Sequence, residues 1–313
     1  MSDFQDWVDE LLTENPGLSP DGTDRLKETM AAYDGEDKLY TSAQIAEELK
    51  DKPRPEGFKT KIESLDSLTG GFRLKQVVSM FAHTKHGKTE VAMWFMSLFP
   101  ELNPVLIPLE QDAEELLSQR IERGYSIPHL VAPKYHDVFV PTEWIEQRVV
   151  EGIAKYNSKM VVIDHLGYID NNGKDGKHKR ENLAYRLGQV MKEVKGLAKK
   201  WDVLIVLLVH ISEGDEGQPP QLKDIGNSSD IKKESDTVIA IWRKNTLEKK
   251  MRVYDKDNKT MLSVLANRRF GKNGNVGLLF DTEKGTYSEE NSWVESMENA
   301  AQSSVAANEL FDA

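Results

Sequence analysis

A turn of small and basic residues lies between a predicted strand and a predicted helix. Its eight residues are Ala82, His83, Thr84, Lys85, His86, Gly87, Lys88 and Thr89. The backbone N–H groups of such a turn, together with the N-terminus of the next helix, form a cradle for phosphate oxygens. Lys88 would neutralise the β- and γ-phosphates, and the hydroxyl of Thr89 would bind Mg²⁺. The other interpretation is a Gly-Lys-Thr helix start without a ligand, but the strand–loop–helix context favours a site for ATP, or another nucleoside triphosphate, with Mg²⁺.

Two carboxylates stand at the ends of predicted strands. Asp164 follows the run Met160–Ile163, and a carboxylate at this position can hold Mg²⁺ through water. The next residue is His165 rather than Glu, so the base that activates water must come from elsewhere. Glu110 follows Val105–Leu109, a strand that we expect beside the phosphate-loop strand, where it can deprotonate a water that attacks the γ-phosphate. From spacing alone, Glu110 is equally well explained as a first-turn acid of the next helix.

Apolar runs alternate with helical segments through the middle of the chain. The predicted strands are Val77–Phe81, Val105–Leu109, Met160–Ile163, Val203–Val209, Val238–Trp242, Met261–Ala266 and Val276–Phe280. The predicted helices are Thr89–Leu98, Asp112–Arg123, Thr142–Tyr156 and Glu181–Trp201. Continuous apolar strands separated by helices indicate an α/β fold with a mainly parallel sheet covered on both faces. The last strands have no helices between them, which predicts an antiparallel C-terminal edge.

Composition excludes several classes of protein. The 313 residues include no Cys, which excludes disulfide frameworks, thiolate zinc sites and thiol catalysis. The longest apolar run, Val203–Val209, is too short to cross a bilayer, so we expect a cytoplasmic protein that does not bind membranes. Acidic residues outnumber basic ones, 52 to 41, but the excess lies before residue 61 and after residue 284. The charge balance therefore does not exclude binding of nucleic acid by the middle of the chain.

Three regions are predicted along the chain. Residues 1–56 form a small helical N-terminal segment with a linker helix at about Thr41–Leu49, residues 57–287 form the ATPase domain, and residues 288–313 form an acidic tail. The tail is expected to be mobile, at least in part, from Asn291 onward. Its end, Asn308–Ala313, has one aromatic residue among acids, which would suit a basic patch on another protein; acidic tails also serve simply as solubilisers.

Several of these segments resemble the DnaB-type replicative helicases. The run Leu65–Phe72 is similar to the entry of their RecA-like domain, and Ala82 at the first phosphate-loop position is common among them. Pro108–Leu116 resembles their second motif, whose glutamate is the catalytic base. The resemblance therefore implies a RecA-like doubly wound sheet and assigns Glu110 as the base.

The C-terminal half is more similar to the helicase part of T7-type primase–helicases and of mitochondrial Twinkle. Asp236–Ile241 matches a strand of that family. His210 follows Val203–Val209 where those proteins place a γ-phosphate sensor, and Arg269 takes the place of their arginine finger. The family usually has a basic residue two positions before the finger, and Asn267 stands there in this sequence. A lone His or a pair of strand-end arginines can also be merely structural, but an arginine so distant from its own phosphate loop suits a neighbouring subunit's nucleotide.

The resemblance also implies two loops that contact DNA in the centre of a ring. The first spans Asn171–Arg180 and the second Leu222–Ser229, and such loops bind backbone phosphates without reading sequence. The candidate contact residues are Lys174, Lys177, Lys179, Arg180, Lys223, Asn227, Ser228 and Ser229. Each loop taken alone could be only an exposed polar loop.

Together these features predict an ATP-driven helicase that forms a homo-oligomeric ring, a hexamer, on single-stranded DNA at replication forks. The alternatives are a RecA-like recombinase and an accessory DNA-binding ATPase that does not unwind DNA. Typical helicase loaders carry Glu directly after the metal-binding Asp, and His165 occupies that position here.

Overall fold

The computed structural model describes residues 31–35, 38–50, 56–134, 137, 139–169, 183–211, 215, 217–224, 229–248, 251–254 and 258–311. Contacts between residues divide the chain into two units, 1–55 and 56–313. No helix in these described ranges is long and apolar enough to cross a membrane.

The first unit contains helix α1, Ser42–Lys50. Its start is a capping box: the N–H of Thr41 donates to Oε1 of Gln44 at 2.8 Å, and the N–H of Gln44 donates to Oγ1 of Thr41 at 3.2 Å. These bonds satisfy two donors that a helix start leaves without partners. The helix predicted at Thr41–Leu49 is therefore confirmed.

The second unit is an α/β domain with one large sheet. Its helices are α2 (Glu63–Thr69), α3 (Lys88–Ser97), α4 (Ala113–Glu122), α5 (Thr142–Tyr156), α6 (Leu183–Lys200), α7 (Ser229–Glu234) and α8 (Ser292–Phe311). Its strands are β1 (Val77–Ala82), β2 (Val105–Pro108), β3 (Met160–Asp164), β4 (Leu204–His210), β5 (Thr237–Arg243), β6 (Asn245–Glu248), β7 (Met251–Tyr254), β8 (Lys259–Asn267), β9 (Gly274–Asp281) and β10 (Thr286–Glu289). All the strands and helices predicted after residue 76 are present, with ends that differ by at most two residues.

The eight-stranded sheet has the order β10-β9-β8-β5-β1-β4-β3-β2, and β6 and β7 form a separate hairpin. Strands β2, β3, β4, β1 and β5 are parallel, and β8, β9 and β10 continue the sheet in antiparallel pairs. The predicted mainly parallel sheet with an antiparallel C-terminal edge is therefore confirmed. The prediction that the strand Val105–Leu109 lies beside the phosphate-loop strand is wrong, because β4 and β3 lie between β1 and β2.

Both faces of the sheet are buried, and successive residues of β1 point to opposite sides. Val78 and Met80 pack on the α3 side, with Phe95 and Phe99. Val77 and Phe81 pack on the other side, where α5 and α6 contribute their apolar faces. This burial on both faces explains why the strands are continuously apolar rather than alternating. It also holds the carboxyl ends of the parallel strands in fixed positions relative to one another.

The C-terminal residues contain structure that the sequence did not indicate. Strand β10 extends to Glu289, and helix α8 follows at Ser292. Trp293 and Val294 of this helix are buried against Trp242 and Met261. Mobility of the tail, predicted at least in part from Asn291 onward, therefore does not extend to the first turn of α8. Asp312 and Ala313 lie outside the described residues.

Candidate nucleotide site and the opposite sheet edge

Strand register brings the predicted nucleotide-site residues together at the carboxyl ends of the parallel strands. Ala82 of β1 pairs with His210 of β4, and Pro108 of β2 pairs with Asp164 of β3. The N–H of Glu110 donates to the carbonyl of Asp164 at 3.1 Å. Glu110 therefore reaches the site even though its strand is at the sheet edge, because the carboxyl ends of parallel strands meet on the same side.

The phosphate loop connects β1 to α3 and has two residues with left-handed backbone. Gly87 has φ 78° directly before the helix, and Lys85 has φ 67°. Residues with a side chain are disfavoured at such a φ, which explains the glycine at position 87. His83 and His86 are buried, and Nδ1 of His86 accepts from the N–H of Arg243 at 3.1 Å. His86 thus fixes the loop to the end of β5, a contact that the sequence did not suggest.

Lys88, Thr89 and Asp164 form a compact group beneath the loop. Oγ1 of Thr89 donates to Oδ2 of Asp164 at 2.7 Å, and Nζ of Lys88 lies 3.8 Å from Oδ1 of Asp164. The side chains of Lys88 and Asp164 are each only 5% exposed. Burial lowers the pKa of Lys88 and raises the pKa of Asp164, and the attraction between the two groups opposes both shifts.

Two buried atoms of this group lack hydrogen-bond partners among the described residues: Nζ of Lys88 and Oδ1 of Asp164. Buried polar atoms are normally paired, so these two suit a ligand that brings an anion to the lysine and a cation to the carboxylate. They face a cleft of 360 Å³ that also borders Gly87, Glu110 and His210. The residues present therefore fit a nucleoside triphosphate with Mg²⁺.

Glu110 and two histidines lie beside this group. Oε2 of Glu110 is 3.2 Å from Nε2 of His210 and 3.9 Å from Nε2 of His165. The rings of His165 and His210 meet edge to face, with centroids 4.3 Å apart. Burial, then the charges of Lys88 and His210, lower the pKa of His165 to about 3. His165, known from the sequence only as a residue that is not Glu, is therefore a neutral member of the site at pH 7.

Arg269 lies at the opposite side of the sheet from the phosphate loop, beside the amino ends of the parallel strands. Asn267, at the end of β8, pairs with Thr237 at the start of β5, which pairs with Val78 near the start of β1. The phosphate loop begins after Ala82, so it is roughly 15 Å further along the strands. Arg269 is exposed, and no carboxylate in the described ranges lies within ion-pair distance of it. The structure therefore does not bring Arg269 to its own subunit's site.

The turn that carries Arg269 is held by Asn267. Nδ2 of Asn267 donates to the carbonyl of Leu68 at 3.0 Å, and its Oδ1 accepts from the N–H of Arg269 at 3.0 Å. Phe270 separates two guanidinium groups, with the Cζ atoms of Arg269 and Arg73 at 5.8 and 6.0 Å from its ring centroid. Burial and the charge of Arg269 lower the pKa of Arg73. Asn267 therefore anchors this turn. It stands at the position where the resemblance led us to expect a basic residue.

Most of the predicted DNA contacts cannot be placed. Lys174, Lys177, Lys179, Arg180, Asn227 and Ser228 lie outside the described residues. Lys223 is exposed in a short helical turn, Leu222–Asp224, and Ser229 begins α7. The turn and α7 lie on the connection from the end of β4 to the start of β5.

Comparison with known proteins finds similarity in both sequence and fold. Residues 140–289 match the DnaB-like helicase C terminal domain family. The solved structure of a DnaB-like replicative helicase superposes with a TM-score of 0.64 at 18% identity, covering 90% of this chain and 74% of that chain. At this identity the likeness shows the fold, and the predicted RecA-like class is confirmed.

Curated relatives are replicative DNA helicases. The chain is 23% identical over 263 residues to DnaB of Geobacillus stearothermophilus, covering 72% of this chain and 55% of that protein. It is 22% identical over 316 residues to DnaC of Bacillus subtilis, covering 89% of this chain and 66% of that protein. The chain thus spans between half and two thirds of the length of these relatives.

Proposed function

The chain is a relative of the DnaB-type replicative helicases, and from that premise we propose that it is an ATP-dependent DNA helicase that acts in DNA replication. The observation that carries the proposal is the buried Lys88–Asp164 group, with two unpaired polar atoms, beside the strand-end carboxylate Glu110. Such an arrangement suits phosphoryl transfer to water, the reaction that drives motors of this fold.

The phosphate-binding half of the site uses Lys88, Thr89 and Asp164. Lys88 supplies a positive charge for phosphate oxygens, and the N-terminus of α3, which begins at Lys88, would add backbone N–H donors. Bound Mg²⁺ would neutralise charge that develops on the triphosphate. Thr89 and Asp164, already hydrogen-bonded to each other at 2.7 Å, would hold that ion through hydroxyl, carboxylate and water.

The hydrolytic half uses Glu110 and His210. The carboxylate of Glu110 is 43% exposed toward the cleft, so it can accept a proton from a water molecule there. His210 ends the strand next to β1, and its Nε2 donates to Glu110. A residue in this position can exchange its contact with Glu110 for one with the γ-phosphate.

We propose that Arg269 completes the site of a neighbouring subunit in a homo-oligomeric ring, a hexamer. Its distance from its own phosphate loop and its exposed position support action in trans. An arginine that reaches the transferring phosphoryl group stabilises transition-state charge. Helix α1 would contact the adjacent subunit, and Lys223, with the loop around Asn171–Arg180, would bind single-stranded DNA inside the ring.

We extend the proposal to partners and location. The solved neighbour interacts with primase, and this chain would likewise bind a replication protein, with the acidic end Asn308–Ala313 as the candidate contact with a polymerase. Forked DNA is the expected substrate, and the expected location is the cytoplasm, including that of a host cell if the chain is phage-encoded.

Strand displacement from a forked duplex tests the function. The wild-type chain should release the strand with ATP and Mg²⁺ and not without them, and Lys88→Ala should release none. His129→Ala is the matched control, because His129 is exposed and bonded only to Asn103 among the described contacts. Strand exchange without displacement would instead indicate a recombinase, and hydrolysis without displacement an accessory ATPase.

A further inference from the structure

Two imidazole rings converge on one oxygen of Glu110. The Nε2 atoms of His210 and His165 lie 3.2 Å and 3.9 Å from Oε2; the first distance is that of a hydrogen bond and the second is longer than one. A glutamate at a strand end can rotate about its side-chain bonds, so these contacts restrict which way its carboxylate points.

The proton on His165 is located by a backbone hydrogen bond. The N–H of Gly167 donates to Nδ1 of His165 at 3.0 Å, so Nδ1 uses its lone pair as an acceptor. In a neutral imidazole the other nitrogen then carries the proton. Nε2 of His165 is therefore an N–H donor that faces Glu110.

This tautomer distinguishes a hydrogen-bonding cluster from a metal site. Glu110, His165 and His210 place one potential ligand atom each within 4.8 Å of one another, which would also suit a transition metal. A ring nitrogen that carries a proton has no lone pair for a metal. The bond from Gly167 thus assigns His165 to hydrogen bonding.

The ring of His165 is held in place on several sides. It packs against His210 and against Tyr168, with the Tyr168 ring centroid at 4.8 Å. A Cβ added at Gly167 would lie 2.7 Å from Cε1 of His165. The donor therefore has little freedom to turn away from Glu110.

We propose that His165 is a positioning residue that holds the carboxylate of Glu110 in its water-activating orientation through Nε2–H. The proposal rests on the hydrolytic role of Glu110 given above. His210 has one Nε2–H, which cannot serve both Glu110 and a phosphate oxygen. At 3.9 Å from Oε2 the Nε2–H of His165 lies just beyond hydrogen-bond distance, and a small rotation of the Glu110 side chain closes this bond when His210 turns away.

A matched pair of substitutions separates positioning from simple packing. His165→Asn keeps an acceptor for the Gly167 N–H, since the Asn oxygen lies where Nδ1 does, but it removes the donor toward Glu110. His165→Gln removes that acceptor and places an amide N–H where Nε2 lies. Positioning predicts that His165→Asn lowers kcat for ATP hydrolysis about tenfold, with KM within about twofold, because small misplacement of a catalytic group is costly. His165→Gln should recover most of the wild-type kcat.

The contrary result is equally clear. If His165→Asn keeps the wild-type kcat, or if His165→Gln is the more impaired of the two, the contact with Gly167 alone matters and the proposal is overturned. His129→Ala controls for loss of an unrelated histidine, and thermal unfolding of each variant identifies any that fails to fold. Such a variant is replaced by Gly167→Ala, which displaces the ring and should lower kcat in the same way; an unchanged kcat would overturn the proposal.

A spectroscopic measurement on the nucleotide-free chain is independent of hydrolysis. With [¹⁵N]histidine labelling, His165 should show the neutral tautomer protonated at Nε2, and Glu110→Gln should shift its Nε2 resonance. A tautomer protonated at Nδ1 would overturn the inference even in an active helicase. An inactive wild-type chain with the expected tautomer would contradict the proposed function and leave the geometry of the cluster intact.

Discussion

Charged side chains are arranged in opposite ways at the two edges of the central strands. At the carboxyl ends of β1 and β3, Lys88 and Asp164 are buried and face one another across 3.8 Å. At the other edge, Arg268 and Arg269 are exposed, and Arg73 adds a third guanidinium nearby. The exposed Arg268 and Arg269 are readily solvated by water, and the partly buried Arg73 donates to the carbonyls of Gly70 and Gly71, whereas the buried charges at the phosphate loop have unpaired atoms.

The difference indicates what each edge needs for activity. The phosphate-loop edge contains Lys88, the hydroxyl–carboxylate pair proposed to bind Mg²⁺ and the proposed base Glu110, so we expect it to bind a nucleotide within one chain. The edge with Arg269 contains a cation on a rigid turn and no group that it could act upon. We therefore expect binding to depend on the first edge alone and rapid hydrolysis to depend on both edges, contributed by two chains.

The largest expected effect is loss of the buried lysine. Lys88→Ala removes the buried cation that the phosphate loop offers to the β- and γ-phosphates, and it leaves Asp164 buried without the cation 3.8 Å from it. Nucleotide binding, followed by fluorescence of a labelled ATP analogue, should fall by at least about 10²-fold. An affinity close to that of the wild type would show that the cleft is not a phosphate site.

Removal of Arg269, the proposed arginine finger, should spare binding and abolish most hydrolysis. Arg269→Ala should lower kcat about 10³-fold, the smaller end of the range for arginine fingers, with nucleotide affinity changed little. Arg268→Ala is the matched control. The guanidinium of Arg268 lies 4.0 Å from the carboxylate of Asp236 in the same chain, and its backbone N–H donates to the Asp236 carbonyl.

Mixed subunits sharpen the comparison between the two edges. Lys88→Ala chains keep Arg269, and Arg269→Ala chains keep the phosphate loop, so mixed rings contain some interfaces with both. The mixture should hydrolyse ATP faster than either variant alone. No gain on mixing, in rings whose assembly is verified by native mass, would contradict action in trans.

A smaller effect is expected from the side chain that anchors the finger turn. Asn267→Ala removes the bond to the Leu68 carbonyl and the acceptor for the Arg269 N–H, both at 3.0 Å. The free energy of unfolding should fall by about 1–3 kcal/mol, the cost of buried groups left unpaired. Urea titration measures this change, and Asn267→Asp, which keeps the acceptor only, should fall between wild type and Asn267→Ala. Equal stability of all three chains would exclude the anchoring role.

Local sequence pattern was sufficient to locate the parallel strands and to single out Lys88, Thr89 and Asp164 as candidate site residues. Each of these strands is apolar throughout because it is buried on both faces, and the three side chains follow strand ends at short spacing. Strand β10 was missed because Thr286–Glu289 is short and polar, and the β6–β7 hairpin because Lys and Glu interrupt it.

Strand order and register were not available from local pattern. Nothing within Val105–Leu109 shows that two strands separate it from β1, since that depends on packing across the whole sheet. The contact of His165 with Glu110 depends on the pairing of Pro108 with Asp164. A histidine after the metal-binding Asp was visible in the sequence, but its direction and its proton were not.

The smallest predicted effect is a loss of stability at mildly acidic pH. It arises from His165, which is largely buried, in contrast to the exposed Arg269. The pKa of His165 is about 3 in the folded chain, against about 6.5 in an unfolded one. Below pH 6.5 the unfolded chain binds a proton that the folded chain does not, so this residue makes the free energy of unfolding fall as the pH drops. His165→Gln cannot titrate, and the wild type should lose stability relative to it by less than about 1.4 kcal/mol per pH unit between pH 6.5 and 4. Urea titrations of both chains at pH 7, 6 and 5 check this, and parallel pH curves would show that His165 is protonated as easily in the folded chain as in water.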